Sequence, residues 1–310
     1  DDVDIKEDII EEVARVYGYY NLPNNISPLL YIKQPHEMEM LFKTISKSKH
    51  YLKHIGLHEF INYSMVSEEL LKNVGMDPSK HLKLANTISK EIEYMRRSLT
   101  PSLIKNIKDN QGKKDVLKLF EIAKIYTPRE HDLPEEQYIL AIAVTTNFFD
   151  LKGIVEGLLR ELHISNYSYE SKESDLLSQN TSTALTSDNK NVGRMGMLKK
   201  EYAANMGLSE DMYLAEIDFS FIQNNYSITK PFKDPITTAV IKLDATIEMK
   251  KKVYGDLKKN AFKTSKLLQD MEIIDQYKDN MTIRFYFADP SKNITEEVAK
   301  KELEEIQKSI

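Results

Sequence analysis

The apolar positions of the chain follow two periods, and the change between them outlines the elements. Ile9, Val13 and Val16 recur at helical spacing, and Gly18, Asn21 and Pro23 close that helix. Residues 21–35 hold three prolines and read as a linker. Residues 36–54 predict a second helix, which Gly56 ends. From there to about Asn225 short strands and helices alternate. The strongest strand patterns are 116–126 and 138–145, joined by the polar loop 127–136 into a long antiparallel hairpin. The second of these is apolar on both faces, which predicts a central position in a sheet. Leu151, Val155, Leu158, Leu159 and Leu162 form the buried stripe of a helix over about 150–163.

The last 80 residues form a separate pattern. Residues 236–247 predict a strand, 248–262 a helix, 271–276 and 281–288 two strands, and 295–310 a helix with Ala299, Leu303, Ile306 and Ile310 on one stripe. This βαββα order is that of a ferredoxin-like unit without its last strand.

Composition narrows the function classes. A chain of 310 residues with 41% hydrophobic and 29% charged residues is globular, of about two domains, and neither disordered nor fibrous. The uncharged stretch 137–149 is well short of the roughly 20 apolar residues of a transmembrane helix, and Asp1-Asp2-Val3-Asp4 is no signal peptide, so no membrane partner is expected. The lack of cysteine excludes disulfides, thiolate zinc sites, iron-sulfur clusters and cysteine nucleophiles, and fits a cytoplasmic protein. A net charge of −5 argues against nucleic-acid binding through bulk charge. Residues 231–310 are close to balance, with 15 Lys plus Arg against 14 Asp plus Glu.

Four groups carry candidate chemistry. His50, His54 and His58 are spaced for one helical face, but Gly56 separates the third, and helix-end histidines are the simpler reading. Gly193-Arg194-Met195-Gly196 has a phosphate-approaching GxxG spacing but reads as a tight turn between two strands. Asp8, Glu11 and Glu12 stand at i, i+3 and i+4, within reach of Asp2; these are hard oxygen donors suited to magnesium, with a dipole-favoured acidic first turn as the alternative. Lys250, Lys251, Lys252, Lys258, Lys259, Lys263 and Lys266 form the densest basic run, with Tyr254 and Phe262 interleaved, which suits RNA phosphates and stacking or else a solvated face.

Several blocks in one order resemble a known family, the β subunit of bacterial phenylalanine-tRNA synthetase. They are IKEDIIEEVARVYGYYNLP at 5–23, GLHEFINYS at 56–64, LKLANTISKEIEYMRRSLTPSLIKNIKDN at 82–110, LKLFEIAKIY at 117–126, FFDLKGIVEGLL at 148–159, VGRMGML from 192 and MYLAEIDFSFI ending at 222. The resemblance implies an α+β chain in three parts. Residues 1–30 are the end of a winged-helix-type domain and a linker. Residues 31–226 are a class II synthetase-like antiparallel sheet flanked by helices, and 227–310 a ferredoxin-fold anticodon-binding-like domain. It further implies that the chain is a C-terminal portion, with an editing domain upstream of residue 1. Lys242-Leu243-Asp244 departs from the arginine-rich run of the family, and the chain stops before the expected last strand.

The implied function is that of a non-catalytic subunit of phenylalanine-tRNA ligase. It pairs with an α subunit in an (αβ)₂ heterotetramer, binds tRNA(Phe), and shares a magnesium site at Asp2, Asp8, Glu11 and Glu12. ATP is then a substrate of the holoenzyme. Activation in this class uses arginines on the phosphates, because bidentate guanidinium groups stabilise concentrated negative charge. The matching strand offers Lys118, Phe120, Glu121 and Lys124 but no arginine, Arg129 lies in the loop, and none occurs between Arg194 and Arg284. No catalytic residue is therefore expected. The alternatives are a self-sufficient ligase using Lys118 or Lys124, disfavoured because a lysine is a poor substitute for the guanidinium fork, and a free-standing tRNA-binding or regulatory paralogue.

Overall fold

The computed structural model describes residues 3–25, 33–229, 232, 234–250 and 253–309. The chain divides into two compact units, residues 1–43 and 44–310.

In the first unit, α1 (Lys6–Tyr17) ends where Gly18 turns to a φ of 91°, a conformation open to glycine, and its N–H caps the Ala14 carbonyl at 2.8 Å. The apolar stripe expected from the sequence is present but uncovered, with Ile9, Val13 and Val16 58–82% exposed. Part of the expected linker, residues 26–32, lies outside the described residues. Then α2 (His36–His54) begins, as its pattern predicts.

The second unit is built on a seven-stranded mixed sheet. In chain order its first half contains β1 (His58–Glu59), the short pair β2 (Met65–Val66) and β3 (Tyr94–Met95) with α3 (Glu68–Asn73) between them, α4 (Thr100–Asn110), β4 (Lys118–Thr127) and β5 (Glu135–Val144). There follow α5 (Phe148–Glu161), β6 (Ser168–Ser171), β7 (Thr183–Ser187), β8 (Lys190–Met197), α6 (Lys200–Asn205), β9 (Tyr213–Asp218) and α7 (Phe219–Asn225). The strand order is β1-β4-β5-β9-β8-β7-β6; β1 runs parallel to β4 and every other pairing is antiparallel.

The predicted hairpin is β4–β5, paired from Lys118↔Val144 to Thr127↔Glu135. Ile139 to Val144 are at most 6% exposed, so β5 is central because its residues are apolar on both faces. On one face Leu119, Ile125, Ile139, Ala141, Ala143 and Leu214 pack with Leu99, Leu103, Ile104 and Ile107 of the α4 segment. Each such large aliphatic side chain contributes about 1.5–3 kcal/mol by leaving water.

Residues 193–196 are not the turn expected from their glycines. They lie inside β8, and the turn is one step earlier, where Asp188 and Asn189 both take positive φ (49° and 61°) in a type I′ hairpin. Gly193 instead allows close strand approach, since a Cβ there would stand 2.9 Å from the Glu216 carbonyl oxygen.

The C-terminal segment comprises β10 (Ile241–Glu248), α8 (Tyr254–Thr264), β11 (Leu268–Tyr277), β12 (Asn280–Phe287) and α9 (Glu296–Ser309), the predicted element order. Its antiparallel sheet has the order β10-β12-β11 and a core of its own, centred on Ile283, Phe285, Phe287, Ala261, Ala299 and Ile306. The helix begins six residues later than its sequence pattern suggests. β10 stays paired with β12 as far as Glu248↔Asn280, so the strand still holds the residue at which the pattern starts the helix.

Candidate functional site

The sheet face beneath α4 carries a row of charged residues set by strand register. Glu121 of β4 lies opposite Ala141 of β5, which lies opposite Glu216 of β9, which lies opposite Arg194 of β8. Side chains in register share a face. Glu121 is 1% exposed and receives Arg96 Nη1 at 2.8 Å, the Asn62 N–H at 3.2 Å and Asn62 Nδ2 at 2.8 Å. Glu216 accepts from Arg194 at 2.7 Å, from Ser98 Oγ at 2.6 Å and from the Leu99 N–H at 2.9 Å. Pro101 follows in the first turn of α4, and Leu99, its cap residue, has no side-chain acceptor, so the Glu216 carboxylate accepts an N–H at the start of the helix. The row thus docks α4 on the sheet.

The cations of the β4–β5 hairpin are all engaged. Lys118 Nζ lies 2.8 and 3.0 Å from the two oxygens of Asp150. Burial works against the Asp150 charge, but hydrogen bonds from Lys118 and Thr146, with the lysine charge, outweigh it and hold its pKa below the ordinary carboxylate value. Lys124 pairs with Glu136 at 2.5 Å and Arg129 with Glu135 at 3.2 Å. On this strand a phosphate would meet cations that already have carboxylate partners.

The acidic set falls on α1, except for Asp2, which lies outside the described residues. Asp8 Oδ2 accepts the N–H groups of Asp4 and Ile5 at 2.8 and 3.0 Å, and these bonds hold its pKa below the usual range. Glu12 pairs with Arg15, which lowers its pKa too. Among the described residues Glu11 has no hydrogen-bond or ion-pair partner. Among the described residues no three acidic or histidine side chains gather in a way that holds a metal. The oxygens fit magnesium chemically, but Asp8, Glu11 and Glu12 do not form a closed shell by themselves.

Of the lysines, Lys258, Lys259 and Lys263 share the exposed side of α8 with Phe262, opposite buried Leu257 and Ala261; Lys266 is exposed just beyond the helix. Lys258 Nζ stands 5.9 Å from the Phe262 ring centre. Lys250 precedes the helix and pairs with Glu248 at 2.7 Å. Lys251 and Lys252 lie outside the described residues. His50 and His54 each donate Nδ1–H to the carbonyl four residues back, at 2.7 and 2.6 Å, while His58 belongs to β1 and meets Lys114 at 3.2 Å.

Sequence reasoning did not assign Arg96, Glu216 or Ser98. The signal was there in the adjacent Arg96 and Arg97, two of only seven arginines, placed just before a helix.

A family model described as the phenylalanyl tRNA synthetase beta chain CLM domain matches residues 32–219. Across the whole chain there is 26% identity to a phenylalanine–tRNA ligase beta subunit of Clostridium acetobutylicum, 41% of whose length is covered. A namesake from Clostridium tetani is 28% identical over 89% of this chain and 36% of its own. The chain therefore spans about two fifths of the length of the curated relatives it matches. Among solved structures, a pyrrolysyl tRNA synthetase of Desulfitobacterium hafniense superposes with a TM-score of 0.50 at 11% identity, over 59% of this chain and 65% of that one. That likeness assigns the mixed sheet to the class II synthetase fold, and the family match over most of the central region goes further: the chain belongs to the phenylalanyl tRNA synthetase beta chain CLM domain family.

Proposed function

We propose that this chain is the C-terminal portion of a phenylalanine-tRNA ligase β subunit. It supports charging of tRNA(Phe) by an α subunit and performs no adenylation itself. The observation that carries this reading is the engagement of the hairpin cations: Lys118, Lys124 and Arg129 face Asp150, Glu136 and Glu135, and Arg194 faces Glu216. A phosphate clamp requires cations whose partner is the substrate. Here those groups are taken up by the acids of the class II sheet and its helices, Lys118 and Lys124 on the face away from α4 and Arg194 on the α4 face.

On this reading ATP is a substrate of the holoenzyme, an (αβ)₂ heterotetramer of the cytoplasm. Asp2, Asp8, Glu11 and Glu12 contribute oxygens to a magnesium site completed with the α subunit, which accords with their lack of closure within this chain. Residues 227–310 form a ferredoxin-like anticodon-binding unit, supported by the β10-β12-β11 order, and its lysines meet tRNA phosphates. Among the described residues no helix is long and apolar enough to cross a membrane.

The test combines the chain with a cognate α subunit and measures mass by light scattering and phenylalanine-dependent exchange of pyrophosphate into ATP. A heterotetramer that exchanges, beside a silent isolated chain, is expected. Exchange by the chain alone that disappears in Lys118→Ala would overturn the non-catalytic assignment. A chain that stays alone beside α would favour a free-standing paralogue.

A further inference from the structure

A cavity of about 770 Å³ opens beside the Glu216–Arg194 pair, within the size range of small-molecule sites. Arg194 and Ala184 lie on its sheet side, and residues 74–81 and 172–179 contribute its rims. Lys80, Arg97, Lys172 and Lys199 line it, and among the described residues none of them forms an ion pair, in contrast to the lysines of the hairpin. Of the rim acids, Asp77 accepts from Ser79 N–H and Oγ at 2.9 and 2.8 Å, and Glu173 accepts from Gln179 at 3.3 Å; Asp175 is the third.

Two lining side chains have buried nitrogens without partners. Arg97 donates Nη1–H to the Lys80 carbonyl at 3.0 Å, but its Nε has no acceptor. His81 donates Nδ1–H to the Asp77 carbonyl at 3.0 Å, and its Nε2 has no partner. Burial, aided by the Arg97 charge, pushes the His81 pKa down, so Nε2 carries a lone pair and accepts. Both nitrogens are closed off from solvent, so they lie behind the cavity wall and not on its surface. Ser182, Thr183, Gln179 and Asn191 add neutral hydrogen-bonding groups, and among the described residues no Phe or Tyr side chain lines the cavity.

We infer that this cavity binds a phosphorylated polyhydroxy metabolite of sugar-phosphate size, with its phosphate on Arg97, Lys80 and Lys172 and its hydroxyls on Gln179, Thr183 and Asn191. Several unpaired cations suit a dianion, and the neutral groups suit hydroxyls. The inference does not depend on assembly with an α subunit.

Titration calorimetry of the 310-residue chain with ribose 5-phosphate, inorganic phosphate and ribose in separate runs tests it. Ribose 5-phosphate is expected to bind saturably, at least about tenfold more tightly than phosphate or ribose, and to lose about tenfold in affinity in Arg97→Met and in Lys172→Met. Lys172 is exposed, so its variant remains decisive if Arg97→Met fails to fold. Absence of saturable binding at about 10 mM, equal affinity for phosphate alone, or unchanged affinity in Lys172→Met would each overturn the inference.

Discussion

Arg96 and Glu121 meet at 2.8 Å with side chains only 3% and 2% exposed, and neither charge is left short of partners. Arg96 Nε also donates to the Lys124 carbonyl at 3.0 Å, and Nη1 to that of Tyr63 at 3.3 Å. Asn62 links Glu121 to Asn106 of α4 at 2.9 Å. The pair ties the segment before α4 to the central hairpin.

Such a pair is costly to break from one side. Replacing one partner leaves the other charge buried and uncompensated, at about 3–5 kcal/mol, whereas replacing both with apolar residues removes the desolvation cost as well. Glu121→Leu is expected to lower unfolding free energy in urea by that amount, and Arg96→Met with Glu121→Leu by clearly less than the two single losses added together. Additive losses would mean that the two groups do not act as a pair.

The fold was legible wherever one period dominated. β4, β5, α5 and α9 follow from alternation or helical stripes, because burial of those stripes decides the element. The start of α8 was not, because the backbone ladder between Glu248 and Asn280 is a long-range pairing that no local pattern announces. Gly193 shows the same limit: a glycine reads as a turn locally, while the approach of Ile217 is visible only in three dimensions. For the site, Arg96, Ser98 and Glu216 are up to about 120 residues apart, so only the register brings them together. The carboxylates and lysines were readable as residue types, but Asp8 and Glu12 proved to have partners just before α1 and within it that composition does not reveal.

Acid titration should report on Lys118–Asp150. Asp150 has a folded pKa below the unfolded value of about 3.9, so its contribution is complete above that pH and is lost as pH falls through the folded value. Lys118→Met removes the lysine hydrogen bond and charge. Parent and variant should therefore differ most in unfolding midpoint near neutral pH and converge as pH drops from about 5 to 2. A constant difference across that window would show that the lysine acts only through packing of its stem.

Magnesium gives a second, separate readout. Among the described residues Asp8 Oδ1 and the Glu11 carboxylate accept no bond, so a metal can use them without dismantling the helix start. Glu11→Gln with Glu12→Gln should leave the isolated chain's helical signal intact, since both residues are exposed. The same pair should weaken the magnesium-dependent thermal stabilisation of the α/β complex, scored by differential scanning calorimetry with and without chelator. An equal magnesium response in parent and variant would return these residues to the role of an acidic first turn.

The proposed tRNA contact can be divided among its lysines. Among the described residues Lys258, Lys259, Lys263 and Lys266 are exposed and outside any ion pair, so they present a free charge to a phosphate, whereas Lys250 already faces Glu248. Each phosphate neutralised adds about 0.7–0.9 to the slope of log affinity against log salt. Replacing Lys258, Lys259, Lys263 and Lys266 with glutamine should weaken tRNA(Phe) binding by the assembled enzyme and flatten that slope by about 0.7–0.9 for each lysine in contact, leaving ATP-dependent phenylalanine activation unchanged. Lys250→Gln alone should shift the slope least, because that charge must first leave its carboxylate. Filter binding across a salt series measures both. An unchanged slope in the fourfold variant would make this side of α8 a solvated face and move the tRNA contact to the sheet or to the α subunit.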